Sequence, residues 1–151
     1  MQIWFECKIR HDKTMDDGKI KRVTEAYLVD AMTFTEAERR FLEEVEPFMS
    51  GDYEVADIKK SKIVELMASN DGNDDRWYKA KVTFITLDEK TAVEKRSVRN
   101  MLVQAKDLKT AVANLEKGME GSMGDWELTS MTETAILDVF AYKAPSDSPK
   151  G

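Results

Sequence analysis

Two stretches of the chain alternate an aromatic residue with basic residues, and this pattern carries the clearest chemistry in the sequence. Residues two apart in a β-strand point to the same face, so each stretch would present an indole ring beside ammonium or guanidinium groups. Indole rings stack on nucleic-acid bases, and the cations bind phosphates. The pattern therefore predicts a surface for single-stranded nucleic acid. Its residues are Trp4, Lys8 and Arg10 in the first stretch and Trp77, Lys79 and Lys81 in the second.

The same tryptophans are consistent with a different class of function. Large aromatic side chains are common in cores and at interfaces, so Trp4 and Trp77 can instead be buried or lie at the contact of a homo-oligomer. The chain has 23 basic and 29 acidic residues, and its net charge of −6 opposes nonspecific binding to nucleic acid. Exposed indoles would favour the nucleic-acid hypothesis. Buried indoles would favour the alternative, a sequestering or adaptor protein that binds a small phosphorylated ligand or a partner protein between two halves of the chain.

Side chains suited to catalysis or metal binding are few. The single histidine, His11, has no carboxylate or thiol partner that sequence spacing reveals, and we expect it at the surface. The single cysteine, Cys7, alternates with apolar residues, which is typical of a small core residue rather than a nucleophile. We therefore expect no enzymatic activity, no metal and no cofactor. A carboxylate-dependent enzyme is the third hypothesis, and two acids that converge in a cavity would support it.

The elements that position these residues occur twice, because the chain repeats itself after about half its length. Four blocks match in the same order, at a displacement of 73 or 74 residues: 4–9 with 77–82, 27–31 with 101–105, 52–55 with 125–128, and 63–66 with 136–139. The sequence therefore predicts a tandem duplication within one compact domain. The predicted parts are a first repeat unit at 1–67, a polar connector at 68–76, a second repeat unit at 77–143, and a frayed tail at 144–151.

Each repeat contains the signals for the same elements. Apolar and polar residues alternate over 4–10, which predicts a half-buried strand, and the Asp-Asp-Gly sequence at 16–18 supplies a hairpin turn to a second strand. Thr33 and Glu36 form a capping box that begins a helix, because each side chain can bond a free backbone N–H. The segment 53–67 predicts one bulged strand or two strands. We expect an α+β fold with pseudo-twofold symmetry, in which each β-β-α-β(-β) unit has an antiparallel sheet and one helix.

The composition narrows the class of protein. A chain of 151 residues and 17.3 kDa suits one compact domain. No run of about 18 apolar residues predicts a membrane span, and the residues after Met1 do not form a signal peptide. One cysteine cannot form an intramolecular disulfide framework. These features predict a cytoplasmic protein without membrane contact.

Several strings in both halves are similar to one known family. They are WFECKIR at 4–10, TEAYLVDA at 24–31, FTEAE at 34–38, FITLDEK at 84–90 and MLVQA at 101–105. They resemble an uncharacterised domain family of short proteins from gut Bacteroidales and their phages and mobile elements, from about Trp4 to Tyr142. The resemblance implies no catalytic residue, cofactor or substrate. It implies an accessory role in a mobile element, either in nucleic-acid handling or in interference with a host system.

Overall fold

The computed structural model describes residues 3–141, and the predicted frayed tail at 144–151 lies outside the described residues. Both halves of the chain have the element order β-β-α-β-β, so the predicted α+β class is confirmed. A short 3-10 helix, Glu46–Phe48, follows the first α-helix. The elements of the first half are β1 (Ile3–Thr14), β2 (Ile20–Ala31), α1 (Phe34–Val45), β3 (Tyr53–Lys60) and β4 (Ile63–Met67). Those of the second half are β5 (Arg76–Leu87), β6 (Glu94–Ala105), α2 (Leu108–Gly118), β7 (Asp125–Glu133) and β8 (Ile136–Phe140).

The strands form two four-stranded sheets, and each sheet takes its fourth strand from the other half of the chain. One sheet has the order β3-β1-β2-β8 and the other has the order β4-β6-β5-β7. The chain accordingly divides into two compact units. Unit 1 runs to Ser61 and resumes at Ile136, and unit 2 is Lys62–Ala135.

The prediction of purely antiparallel sheets is wrong for one strand pair in each unit. β8 pairs in parallel with β2, and β4 pairs in parallel with β6. Parallel neighbours need a long connection between them. Here 26 residues, which include β5, separate β4 from β6, and 104 residues separate β2 from β8. Sequence reasoning about hairpins considers only strands that follow one another, so it does not predict these partners.

The compact units differ from the predicted repeat units at their ends. β4 lies in the predicted repeat 1–67 but belongs to unit 2, and the predicted connector 68–76 joins β4 to β5 inside that unit. The segment 53–67 forms two strands, as one of the two expectations had it. A register shift of the kind expected for a bulge also occurs, because the pairing of β1 with β3 shifts between Lys8 and Ile9. The repeat boundaries in the sequence stay a prediction.

In each unit the helix covers one face of the sheet and forms the core with it. The alternation predicted for β1 is confirmed, since Phe5, Cys7 and Ile9 are fully buried against α1. From α1, Ala37, Phe41 and Val45 complete this core. Unit 2 repeats the arrangement with a core cluster that includes Ala80, Val82, Met101, Val103 and Leu115.

Side chains cap the first turn of both helices. The backbone N–H of Glu36 donates to Oγ1 of Thr33 at 3.1 Å, as the predicted capping box requires. The carboxylate of Glu36 accepts from the backbone N–H of Met32 at 3.4 Å rather than from that of Thr33. In unit 2 Asp107 accepts from the backbone N–H of Thr110 at 2.7 Å. Hydrogen bonds from the side chain and from the backbone of Thr110 lower the pKa of Asp107. Among the described residues, neither helix has the length and apolar character needed to cross a membrane.

Candidate functional site

The two tryptophans of the predicted nucleic-acid surface are both buried. Trp4 and Trp77 alternate with the helix-facing residues of β1 and β5, so they lie on the opposite sheet face, and each is only 5% exposed. Leu28 is diagonal to Trp4 on that face and is fully buried. The face around Trp4 therefore belongs to the protein interior. The indole rings cannot stack on bases in this conformation.

The four basic residues of the predicted surface face different neighbours in the two units. In unit 1, Arg10 forms a salt bridge of 3.0 Å with Glu54, and Lys8 lies opposite Asp57 on β3. Carboxylates of the neighbouring strand thus offset the positive charge there. In unit 2, Lys79 and Lys81 lie opposite Thr132 and Ser130, which carry no charge.

His11 does not lie at the surface, so that prediction is wrong. Its Nε2 hydrogen bonds to Oε1 of Glu25, and the histidine is only 5% exposed. The partner follows from the hairpin: the turn at 16–18 places Val23 opposite His11, and Glu25 then lies diagonal to it on the same face. A hairpin register drawn from that turn would have revealed the pair, whereas the linear separation of 14 residues did not.

A cavity of about 480 Å³ lies beside this pair within unit 1, and we call it the His11 cleft. Its lining includes His11, Glu25, Lys13, Tyr27, Phe48 and Leu137. Burial raises the pKa of Tyr27, and the carboxylates of Glu25 and Asp138 raise it further. The tyrosine therefore keeps its hydroxyl proton at neutral pH.

Unit 2 has a different pair at the equivalent position of its hairpin. Phe84 in unit 2 corresponds to His11 in unit 1, and Arg99 corresponds to Glu25. Phe84 and Arg99 are diagonal neighbours across β5 and β6, as His11 and Glu25 are across β1 and β2. The guanidinium carbon of Arg99 is 5.5 Å from the centre of the Phe84 ring, which is a cation–π contact. The imidazole is thus a feature of unit 1 alone within the described part of the chain.

A second cavity, of about 680 Å³, lies within unit 2 between α2 and the loop that joins β4 to β5. We call it the helix–loop cleft. On the helix side, Thr110, Asn114 and Lys117 succeed one another at spacings of four and three, so they share one face of α2. Lys106, just before the helix, extends this row. The loop contributes Ser69, Asn70, Asp71 and Asp74.

A hydrogen-bonded network fixes the polar wall of the helix–loop cleft. Nδ2 of Asn114 donates to the carbonyl oxygen of Gln104 at 2.9 Å and to Oδ2 of Asp74 at 3.4 Å. That same carboxylate oxygen accepts from Oγ of Ser69 at 2.5 Å. The side chain of Gln104 accepts from the backbone N–H of Ser69 at 2.9 Å. Asp74 is 6% exposed, so these bonds hold a nearly buried carboxylate at the cleft.

Lys106 and Lys117 supply the positive charge of the helix–loop cleft. Within residues 3–141, no carboxylate forms a salt bridge with either ammonium group. The corresponding place in unit 1 is different. A cavity of about 600 Å³ there is lined by two arginines, of which Arg39 pairs with Glu43 at 3.1 Å and Arg40 pairs with Asp30 at 2.7 Å. The cations of that cavity are already engaged by acids of the chain.

Part of the polar connector at 68–76 forms a local turn. Oδ1 of Asp71 accepts from the backbone N–H of Asn73, two residues further on. The role of Asp74 in the cleft depends on Asn114, which lies 40 residues away. The sequence signal that could have indicated this contact is the row of polar residues at helical spacing on α2.

No group of acids, histidines and cysteines that could hold a metal ion occurs within residues 3–141.

Comparison with known proteins gives the chain a family. A search among curated proteins finds no match. Residues 3–142 match the family model described as Domain of unknown function (DUF4494), which confirms the resemblance to an uncharacterised domain family over nearly the whole chain. With its two β-β-α-β-β halves, this chain belongs to the DUF4494 family.

Proposed function

We propose that the protein is a non-enzymatic binding protein, and that its helix–loop cleft holds a small phosphorylated ligand that also carries hydroxyl groups. The observation that carries this proposal is the combination of two lysines without salt bridges and a nearly buried Asp74 in one cavity. We place the ligand within unit 2, whereas the sequence-based alternative placed it between the two halves.

The charge of the cleft supports a phosphate as part of the ligand. Ammonium groups bind phosphate as point charges, and a lysine outside any salt bridge is available to an anion. Lys106 precedes α2, whereas Lys117 lies in the last turn of this helix, so the two lysines are at opposite ends of the helix. Their long side chains can reach toward one phosphate or hold two anionic groups at opposite ends of a ligand.

The polar wall supports hydroxyl groups as the other part of the ligand. After its bonds to Ser69 and Asn114, the Asp74 carboxylate still has acceptor capacity at Oδ1, and the Gln104 amide still has its two N–H donors. A hydroxyl group can donate to the first and accept from the second. The volume of about 680 Å³ lies within the range of cavities that hold small molecules. A sugar phosphate has this combination of groups.

Isothermal titration calorimetry with ribose 5-phosphate tests the proposal, with ribose and inorganic phosphate as comparisons. We expect ribose 5-phosphate to bind more tightly than either part alone, and more weakly at high salt because the lysine contribution is screened. The double substitution Lys106→Gln with Lys117→Gln should reduce affinity at least about tenfold, since it removes two charge-assisted contacts. Lys109→Gln is the matched control, because Lys109 is on α2 but does not line the cleft.

Two results would overturn the proposed site. One is that ribose 5-phosphate, ribose and phosphate all fail to bind the wild-type protein and that native mass spectrometry finds no co-purified phosphorylated compound. The other is that the double lysine variant binds as tightly as the Lys109→Gln control, which would locate binding elsewhere on the chain.

The hypothesis of single-stranded nucleic-acid binding stays a prediction with less support. The burial of both indoles removes its stacking surfaces, and the exposed Lys81 and half-buried Lys79 retain a phosphate-binding role in it. Fluorescence titration with a mixed-sequence oligonucleotide at two salt concentrations tests it, and no binding at low salt ends it. An accessory role in a mobile element likewise stays a prediction.

We also infer that the two halves arose by tandem duplication, and that each gave its last strand to the other's sheet. The same order of elements in both halves and the repeated blocks of sequence support this. Two separately expressed fragments, 1–74 and 75–151, each lack one strand of their own sheet. We expect them to form a stable complex when mixed, and two fragments that each fold alone without associating would contradict the exchange.

A further inference from the structure

We propose that the His11 cleft of unit 1 is a second ligand site, and that its ligand is an uncharged aromatic molecule with a hydroxyl group, of the phenol class. The site is in the other unit from the helix–loop cleft, so it does not depend on the proposed function.

The hydrogen bond to Glu25 determines what His11 can offer a ligand. An ionised carboxylate only accepts hydrogen bonds, so the proton of a neutral imidazole is on Nε2, where it is donated to Glu25. Nδ1 is then the ring nitrogen that remains, and it makes no hydrogen bond to any residue between 3 and 141. As a lone-pair acceptor beside the cavity, it suits a ligand that donates a hydrogen bond, as a hydroxyl group does.

The charges around the cleft are already compensated by partners within the chain. Glu25 accepts from His11 at one oxygen and from Nζ of Lys13 at 3.4 Å at the other. Asp12, also in the lining, forms a salt bridge of 3.3 Å with Arg22. Because each lining carboxylate has a cationic or imidazole partner, the cleft has no strong preference for a charged ligand. An uncharged polar group fits it better.

Apolar and aromatic side chains in the lining favour an aromatic ligand. Phe48 is 80% exposed at the cleft, and Leu137 is half exposed there. Tyr27 is held in place by a stacked contact of 5.5 Å with Phe140. Exposed large apolar side chains that surround one buried polar group are typical of a small-molecule site.

Because His11 is the single histidine of the chain, its ring can be observed directly by NMR. We would titrate the full-length protein with phenol and, separately, with anisole, which has the same ring but no hydroxyl donor. Phenol should shift the His11 ring resonances saturably, with a dissociation constant of about 1–10 mM for so small a molecule. We expect anisole to bind about threefold to tenfold more weakly, as the loss of one hydrogen bond predicts.

A variant based on unit 2 gives a second test. His11→Phe combined with Glu25→Arg installs the pair that unit 2 has at Phe84 and Arg99, so no buried carboxylate is left without a partner. Calorimetry should show that this variant has lost the preference for phenol over anisole. Arg39→Gln, an exposed change on α1, should retain the preference.

Each of three outcomes would overturn the proposal. The first is a wild-type protein whose His11 resonances show no saturable shift with phenol. The second is an equal response to anisole and phenol. The third is a double variant that still prefers phenol as strongly as Arg39→Gln does.

Discussion

The backbone N–H of Ser61 donates a hydrogen bond of 2.7 Å to the carbonyl oxygen of Trp4. Thr134 makes the same bond to the carbonyl oxygen of Trp77 at 2.9 Å, and its hydroxyl adds a second at 2.8 Å. Ser61 and Thr134 are the last or next-to-last residues before the chain passes from one unit to the other. The carbonyl oxygen of each buried tryptophan therefore accepts a hydrogen bond from the chain close to the point where the chain leaves that unit.

The first prediction concerns the strand that unit 1 receives from the end of the chain. A chain that ends at Ala135 lacks β8, so the edge of β2 loses its parallel partner and Tyr27 loses the stacked ring of Phe140. We expect a loss of about 3 kcal/mol or more in the free energy of unfolding, together with self-association at the unpaired edge. Urea denaturation and size-exclusion chromatography measure the two effects. A chain that ends at Ala141 keeps all eight strands and is the control; equal stability of the two truncations would contradict the pairing.

The second prediction concerns the core of unit 1. Phe41 is fully buried between α1 and the sheet, so Phe41→Ala should lower the free energy of unfolding by about 3–5 kcal/mol. Phe48→Ala removes the same ring from an exposed position and should change stability by less than about 0.5 kcal/mol. Chemical denaturation of both variants provides the comparison. A similar cost for the two substitutions would show that α1 does not cover the sheet as described.

The third prediction concerns the reactivity of Cys7 and its dependence on pH. Burial, assisted by the negative charge of Glu6, raises the pKa of the thiol to about 12 from 9.0. The native protein should therefore resist thiol reagents at pH 8 and react only after unfolding. Because the folded state disfavours the thiolate, the stability that this shift contributes is complete below pH 9 and is lost as the pH rises from 9 toward 12. Cys7→Ala should remove that part of the pH dependence, and rapid labelling of the native thiol would contradict the burial.

The fourth prediction concerns the network of the helix–loop cleft. Asn114→Ala removes the donor to the carbonyl oxygen of Gln104 and to Oδ2 of Asp74, and it leaves Ser69 as the remaining side-chain donor to that carboxylate oxygen. We expect a loss of about 1–3 kcal/mol in the free energy of unfolding and faster amide hydrogen exchange in the loop at 68–75. Lys109→Ala, at an exposed position on the same helix, should leave the exchange of that loop unchanged. Unaltered protection in the Asn114 variant would show that the network does not hold the loop.

Local structure could be read from the sequence because it depends on neighbours along the chain. The alternation in β1, the turn at 16–18 and the cap at Thr33 involve residues within a few positions of one another, and each is present as expected. The helix-facing residues Ala37 and Phe41 follow from helical spacing for the same reason. The hairpin register also contained the His11–Glu25 pair, although linear spacing concealed it.

What the sequence by itself determined is therefore the hairpin, the helix that follows it, their order in each half and the family. Only the tertiary structure decided which strand β4 and β8 join, whether Trp4 faces water, and that Asp74 meets Asn114. A period of two assigns residues to the two faces of a strand but does not say what covers either face. A free strand edge can pair with any strand that the rest of the fold brings beside it. Contacts between residues far apart in the chain therefore decide both which strand pairs with an edge and what covers a face.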